Sequence, residues 1–276
     1  MIIHLTLQIL EKNKGVLIMK TLVMSSTLTV YDIDENGNEY ARIIDNDNGF
    51  LDNLRKHMTS RKCMVIISGN PKKKRTGDPN EITRQSFAMS GIPFDEYIYV
   101  NDDNKEHIAE YISKADCINL FGGHLPTANA FINELNLKEL LKDYNGVIIG
   151  ASGGAMNMAD HVYCIPEVEG EHSDPTFNRY PKGLGLTNIN VIPHYHLFEK
   201  LKFTDGTKML EDILLPDSKK SPMIALPDRS YIIQQEDNVE IFGESYLLKD
   251  GEVTQICEND KSVEWGRRYE YTIDNR

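Results

Sequence analysis

Short, mainly apolar runs recur along this chain, with stretches of helical spacing between them, and that alternation limits the folds open to it. The runs are Met19–Ser26, Cys63–Gly69, Tyr97–Val100, Cys117–Phe121 and Val147–Gly150. They lack the polar alternation of a strand with one wet face, so they read as strands buried on both sides. Between them, Leu51–Met58, Asp78–Ser90, Glu106–Ser113 and Leu125–Tyr144 fit helices, with Asp78 as a candidate cap and Pro79 near the helix start. Such an order predicts an α/β fold, a mostly parallel sheet with helices on both faces. The segment Asp32–Gly49 is rich in Asp, Asn and Gly and reads as a loop or small excursion.

The last third changes character. Met223–Leu226 is a short strand. Tyr231–Gln234, Val239–Phe242, Ser245–Leu248 and Val253–Ile256 then follow at hairpin spacing, with Lys249-Asp250-Gly251-Glu252 as a tight-turn signal. These predict C-terminal antiparallel hairpins added to the parallel sheet. No repeat, low-complexity tract or linker divides the chain. The expected organisation is an N-terminal extension or mis-called start over 1–18, one catalytic domain over 19–258 and a loose polar tail over 259–276. Met1–Leu10 is apolar, yet it lacks a basic leading region, and Glu11-Lys12-Asn13-Lys14 interrupts it with no small-residue cleavage site.

A formal net charge of −12, from 42 acidic and 30 basic residues, disfavours a nucleic-acid partner. No run reaches the roughly 18 apolar residues of a membrane span, so no membrane partner is expected. The four cysteines, Cys63, Cys117, Cys164 and Cys257, have no zinc-ligand spacing. They read as buried free thiols of a cytoplasmic protein. The basic run Lys72–Arg75 follows a strand and reads as a solvated surface; a role near an acidic ligand is the lesser alternative.

Chemistry concentrates at Gly150-Ala151-Ser152-Gly153-Gly154, which matches the Gly-x-Ser-x-Gly nucleophile turn. A strand that turns sharply into a helix strains the nucleophile's backbone and leaves no room for bulky neighbours. Val147–Ile149 supplies the strand and Ala155–Ala159 the expected helix start. The turn would lift the Ser152 hydroxyl to the carboxyl end of the sheet, where open α/β sheets bind ligands. A serine needs a base at neutral pH. Of eight histidines, His4 lies in the doubtful extension, and His57 and His107 on surface helices. His194, ending the apolar run Asn190–Pro193, is the first choice; His196 is second, and His124, His161 and His172 stay open. The Gly153 amide, and a glycine amide of Phe121-Gly122-Gly123-His124, are the expected oxyanion donors.

Four blocks, in order, resemble the peptidase E (aspartyl dipeptidase) and cyanophycinase family. They are Phe121-Gly122-Gly123, Gly150–Ala155, Pro193-His194-Tyr195 and Leu226-Pro227-Asp228. The resemblance spans roughly residues 19–258. It implies a class I glutamine amidotransferase-like, flavodoxin-like fold. It also implies a serine peptidase with Ser152 as nucleophile, His194 as base and Asp228 as the orienting acid, where the family more often has Glu. Glu167 is the alternative acid. Gly123 and Gly153 would form the oxyanion hole; His124, Thr127 and His196 would contact substrate. The sequence departs from the family at the lip His124-Leu125-Pro126-Thr127. It departs again after the Pro-His block, where Lys200, Lys202 and Lys208 stand in place of an arginine-rich stretch. Lysine does not replace a bidentate arginine, so the resemblance leaves the identity of the residue cleaved, aspartyl or other, open.

The resulting expectation is hydrolysis of a small peptide or related amide through an acyl-enzyme, by a monomer or homodimer, with no metal or organic cofactor. A serine esterase is one alternative, but that class orders its triad Ser, acid, His, and here the histidine precedes the acid. A catalytically altered, metabolite-binding member of the fold is the other.

Overall fold

A computed structural model describes residues 19–73 and 75–266; residues 1–18, most of the polar tail and Lys74 lie outside the described residues. The strands in chain order are β1 (Thr21–Ser25), β2 (Tyr31–Ile33), β3 (Glu39–Ala41), β4 (Cys63–Ile67), β5 (Glu96–Val100), β6 (Cys117–Leu120) and β7 (Val147–Ala151). They continue with β8 (Val191–Ile192), β9 (Met223–Ala225), β10 (Tyr231–Gln235), β11 (Asn238–Phe242), β12 (Ser245–Lys249), β13 (Glu252–Cys257) and β14 (Ser262–Trp265).

The five apolar runs become the parallel block of an eight-stranded sheet of order β14-β11-β10-β1-β7-β6-β4-β5. Read as β5-β4-β6-β7-β1, this is the doubly wound order 2-1-3-4-5, with the N-terminal strand filling the fifth place. Side chains alternate between two cores. Met24, Val65, Ile67, Ile118 and Ile148 pack on one face with the helix Leu125–Glu134 and the second sheet. Val23, Met64, Ile66, Cys117 and Ile149 pack on the other with the helices Phe50–His57 and Pro79–Met89. Each of these strands is buried on both sides, which explains their unbroken apolar character.

C-terminal to this block, β10, β11 and β14 extend the sheet antiparallel to β1 and to one another. A second sheet, β13-β12-β9-β8, is antiparallel except where β8 runs parallel to β9. All four cysteines are buried free thiols.

Four local expectations change. The loop 32–49 contains the hairpin β2–β3, whose turn forms because the Asp34 carboxylate accepts the N–H groups of Asn36 and Asn38 at 2.9 and 2.8 Å. The long helix 125–144 breaks at Asn136, whose left-handed φ of 49° separates Leu125–Glu134 from Leu137–Leu140. The helix after Ser152 is a single turn, Gly153–Met156. Asn157 ends it by turning its side chain back onto the Gly153 carbonyl at 2.9 Å. Finally, 262–265 is not loose tail: Val263 and Trp265 pair with Ile241 and Val239 as the edge strand β14, with Trp265 buried. No helix among the described residues is long and apolar enough to cross a membrane.

Candidate active site

Ser152 follows β7 directly and takes φ 53°, ψ −125°, a backbone conformation that L-residues rarely adopt. Its N–H donates to Ser25 O at 3.0 Å, which holds the turn against the end of β1. The glycines around it are there for close approach. A Cβ on Gly122 would lie 2.8 Å from Ser152 Cβ, and one on Gly154 would lie 2.0 Å from Leu120 O. The turn after β6 and the turn after β7 can therefore nest only without side chains.

The histidine and the acid arrive by a different route. The parallel strands β8 and β9 pair Ile192 with Ala225, so the segments that leave them emerge side by side. The pairing continues through Leu226 N to Ile192 O at 2.8 Å and Tyr195 N to Leu226 O at 3.2 Å. His194 leaves β8 in the left-handed region, φ 52°, and Asp228 follows β9. His194 Nδ1 lies 2.7 Å from Asp228 Oδ1, and His194 Nε2 lies 3.0 Å from Ser152 Oγ. With Nδ1 protonated, the ring donates to the carboxylate and accepts the serine hydroxyl. The bond from His194 holds the Asp228 carboxyl below its usual range, against the opposing effect of partial burial.

Sequence reasoning missed Ser26. Fully buried at the end of β1, its hydroxyl donates to Asp228 Oδ1 at 3.0 Å and accepts the backbone N–H of His194 at 2.8 Å. It clamps His194 and Asp228 together. The signal available in sequence was only its place at the carboxyl end of the first strand, next to the expected site.

Glu167 does not reach the His194 ring nitrogens. It accepts the Leu125 N–H at 3.4 Å and borders a small cavity shared with Ser152, Gly153 and His194. Although the residue is exposed overall, crowding of its carboxyl raises its pKa, desolvation being the main cause. Gly123 (φ 151°) and Gly153 sit close together: a Cβ on Gly153 would lie 2.7 Å from Gly123 O and 3.6 Å from Gly123 N. Among the described residues neither glycine's N–H meets a protein acceptor.

A cleft of about 580 Å³ opens beside Ser152, Gly123 and His194. His124 lines it, with Nδ1 3.1 Å from Thr127 Oγ1 and Nε2 2.7 Å from Glu171 Oε1. His196 does not line it: this exposed ring bonds Glu199 and Glu244 at 3.3 and 3.2 Å. Lys200, Lys202 and Lys208 are likewise exposed and outside the cleft lining. Among the described residues the lysines and arginines that line it are Lys73 and Arg75. Lys73 is exposed, as expected of the run Lys72–Arg75, but the Arg75 side chain is only 12% exposed. Among the described residues no group of three or more His, Cys, Asp or Glu is arranged to hold a metal ion.

The family model "Peptidase family S51" matches residues 80–242, more than half of the chain. No curated protein matches it. Among solved structures, a peptidase from an acI-B1 Actinobacterium is similar, with TM-score 0.62 and 16% identity over 90% of this chain and 97% of that one. A putative peptidase E protein from Listeria monocytogenes EGD-e is similar with TM-score 0.54 and 12% identity, over 87% of this chain and 100% of that one. At these identities the structural likeness establishes the fold.

Proposed function

The chain belongs to peptidase family S51 and is therefore an enzyme; from that premise we propose that it hydrolyses a small peptide or related amide through a Ser152–His194–Asp228 triad. The observation that carries the reading is the unbroken hydrogen-bond chain from Ser152 Oγ through both ring nitrogens of His194 to Asp228, at 3.0 and 2.7 Å.

In the first half-reaction the Ser152 proton passes to His194 Nε2 as Oγ attacks the carbonyl carbon. Asp228 stabilises the imidazolium and keeps the Nδ1–H tautomer in place. The N–H groups of Gly123 and Gly153 receive the oxyanion. They act as individual donors, because a one-turn helix has little macrodipole. His194 then gives its proton to the leaving amine, and the acyl group remains on Ser152. In the second half, water loses a proton to His194 as it attacks the ester carbon; the C–Oγ bond then breaks, His194 returns that proton to Ser152 Oγ, and the acid is released. His124 lines the cleft and contacts substrate, while Thr127, outside the lining, bonds its Nδ1 at 3.1 Å and sets the ring's orientation. His196 has no part in this scheme. No cofactor is required by any step. The working compartment is the cytoplasm and the enzyme acts as a monomer or homodimer.

The test is a screen of dipeptides, isoaspartyl peptides and a fluorophosphonate serine probe, with Ser152→Ala as control. Turnover and labelling are expected for the unsubstituted protein and lost in Ser152→Ala. Turnover at an undiminished rate in Ser152→Ala would refute the assignment.

A further inference from the structure

The wall of the cleft formed by the β2–β3 hairpin carries a feature that the hydrolytic scheme does not use. Arg75 Nε donates to Glu39 Oε2 at 2.9 Å, and the two side chains are only 12% and 6% exposed. The guanidinium carbon lies 4.6 Å from the Tyr31 ring centroid and 5.9 Å from that of Phe121. Tyr99 packs edge-on to Phe121 with centroids 6.2 Å apart, and its hydroxyl is already bonded to Ser68 Oγ at 2.7 Å. Tyr31, Tyr99, Phe121 and Arg75 all line the cleft that holds Ser152.

The pair is fixed in place. Glu39 N–H donates to Thr76 Oγ1 at 3.1 Å, and Thr76 Oγ1 donates to Gly37 O at 3.3 Å, so the segment after β4 grips the hairpin. Gly77 lets the two backbones meet: a Cβ there would lie 3.2 Å from Glu39 O and 2.5 Å from Ile82 Cδ1. The Glu39 backbone is thereby fixed beside Arg75, and its side chain, only 6% exposed, is packed against the guanidinium it bonds. The other charges on the lining, Lys73 and Asp32, are exposed and of opposite sign. Among the described residues the lining thus has no buried positive charge without a counter-charge, and the chain as a whole carries −12.

We infer that Glu39 neutralises Arg75, so that this cleft selects peptides whose side chain against the Tyr31–Tyr99–Phe121 wall is apolar or aromatic rather than acidic. The inference rests on the reading of Ser152 as the nucleophile that this cleft serves. An acidic side chain would be desolvated against aromatic rings with Glu39 as a near neighbour of like charge. An apolar or aromatic one would bury surface on the rings, and two of the polar groups beside them, Tyr99 Oη and Arg75 Nε, already have partners.

Binding tests this independently of turnover. Calorimetric titration of Ser152→Ala with Phe-Ala, Leu-Ala and Asp-Ala is expected to give affinities for the first two at least about tenfold above that for Asp-Ala. Adding Glu39→Gln leaves the guanidinium without its counter-charge and is expected to raise Asp-Ala affinity about tenfold or more. Should Glu39→Gln misfold, Glu39→Gln/Arg75→Met removes both charges and is expected to keep the apolar preference. Asp-Ala binding as tightly as Phe-Ala, or a folded Glu39→Gln protein with an unchanged preference, would overturn the inference. Ser152-dependent turnover of acidic peptides in preference to apolar ones would overturn it while leaving the hydrolase reading intact. Apolar-selective binding with no turnover or probe labelling would support it and sink that reading instead.

Discussion

Replacing Ser26 by Ala removes one hydroxyl and two hydrogen bonds, to Asp228 Oδ1 at 3.0 Å and from His194 N at 2.8 Å. The Asp228 side chain is 59% exposed, so water screens its bond and replaces much of it, leaving about 1 kcal/mol. The His194 N–H is bonded to a fully buried hydroxyl, and stranding it costs about 1–2 kcal/mol more. Together the expected loss is about 2–3 kcal/mol, which for a domain of this size lowers the melting temperature by roughly 4–12 °C. The effect on turnover has a different origin. Ser26 ties the backbone of the proposed base, His194, to the carboxylate proposed to orient it, and a shift of about 1 Å in such a group lowers kcat by about 100-fold. The expected kinetic pattern is kcat reduced about 10–100-fold with KM within about twofold, because Ser26 touches the orienting pair and not the substrate. Steady-state kinetics well below the melting temperature, with differential scanning calorimetry of the same samples, separates the two effects. A stable Ser26→Ala protein with unsubstituted kcat would refute the claim that this hydroxyl positions base and acid.

Asp228→Asn is expected to lower kcat by about 10³–10⁴, whereas Glu167→Gln changes it by less than about tenfold, since only Asp228 bonds His194 Nδ1; kcat of the two variants decides between the acids. Glu167 has a raised carboxyl pKa, so it contributes less stability as pH rises from its unfolded value, about 4.3, through its higher folded value. Glu167→Gln should therefore flatten the loss of stability with rising pH over that interval, as read by urea melts at several pH values. Asp228 has the opposite sign. Its lowered pKa gives stability that is present above about 3.9 and is lost as pH falls through the folded value, and Asp228→Asn should remove that acid-side dependence. Gly123→Ala places a Cβ 3.1 Å from Gly69 O at φ 151°, which displaces a proposed oxyanion donor. It is expected to lower kcat by about 10²–10³ while circular dichroism stays unchanged.

The sheet and the Gly-x-Ser-x-Gly turn are legible in the chain alone, because both are written in local terms. Strands such as Met64–Ile67 are buried on both faces, so their apolar runs need no partner to be recognised. The strand Val147–Ile149 running into Gly150–Gly154 announces a tight turn whatever surrounds it. Edge strand β14 escaped because Val263 and Trp265 are only two apolar positions in a polar stretch, and their meaning depends on pairing with β11. The break at Asn136 escaped because helical spacing runs through it, and only the backbone's left-handed turn ends the first helix.

Contacts across large sequence separations belonged to the tertiary structure alone. His194 and Asp228 meet because β8 and β9 are parallel neighbours, a register that no local pattern encodes. Ser26 reaches them because β1 lies between β7 and β10, which brings the residue beyond its end beside both Ser152 and Asp228. Arg75 ended a basic run that read as solvated. Only the folded hairpin supplies Glu39 and Tyr31, across more than thirty residues of chain, to bury that charge and neutralise it.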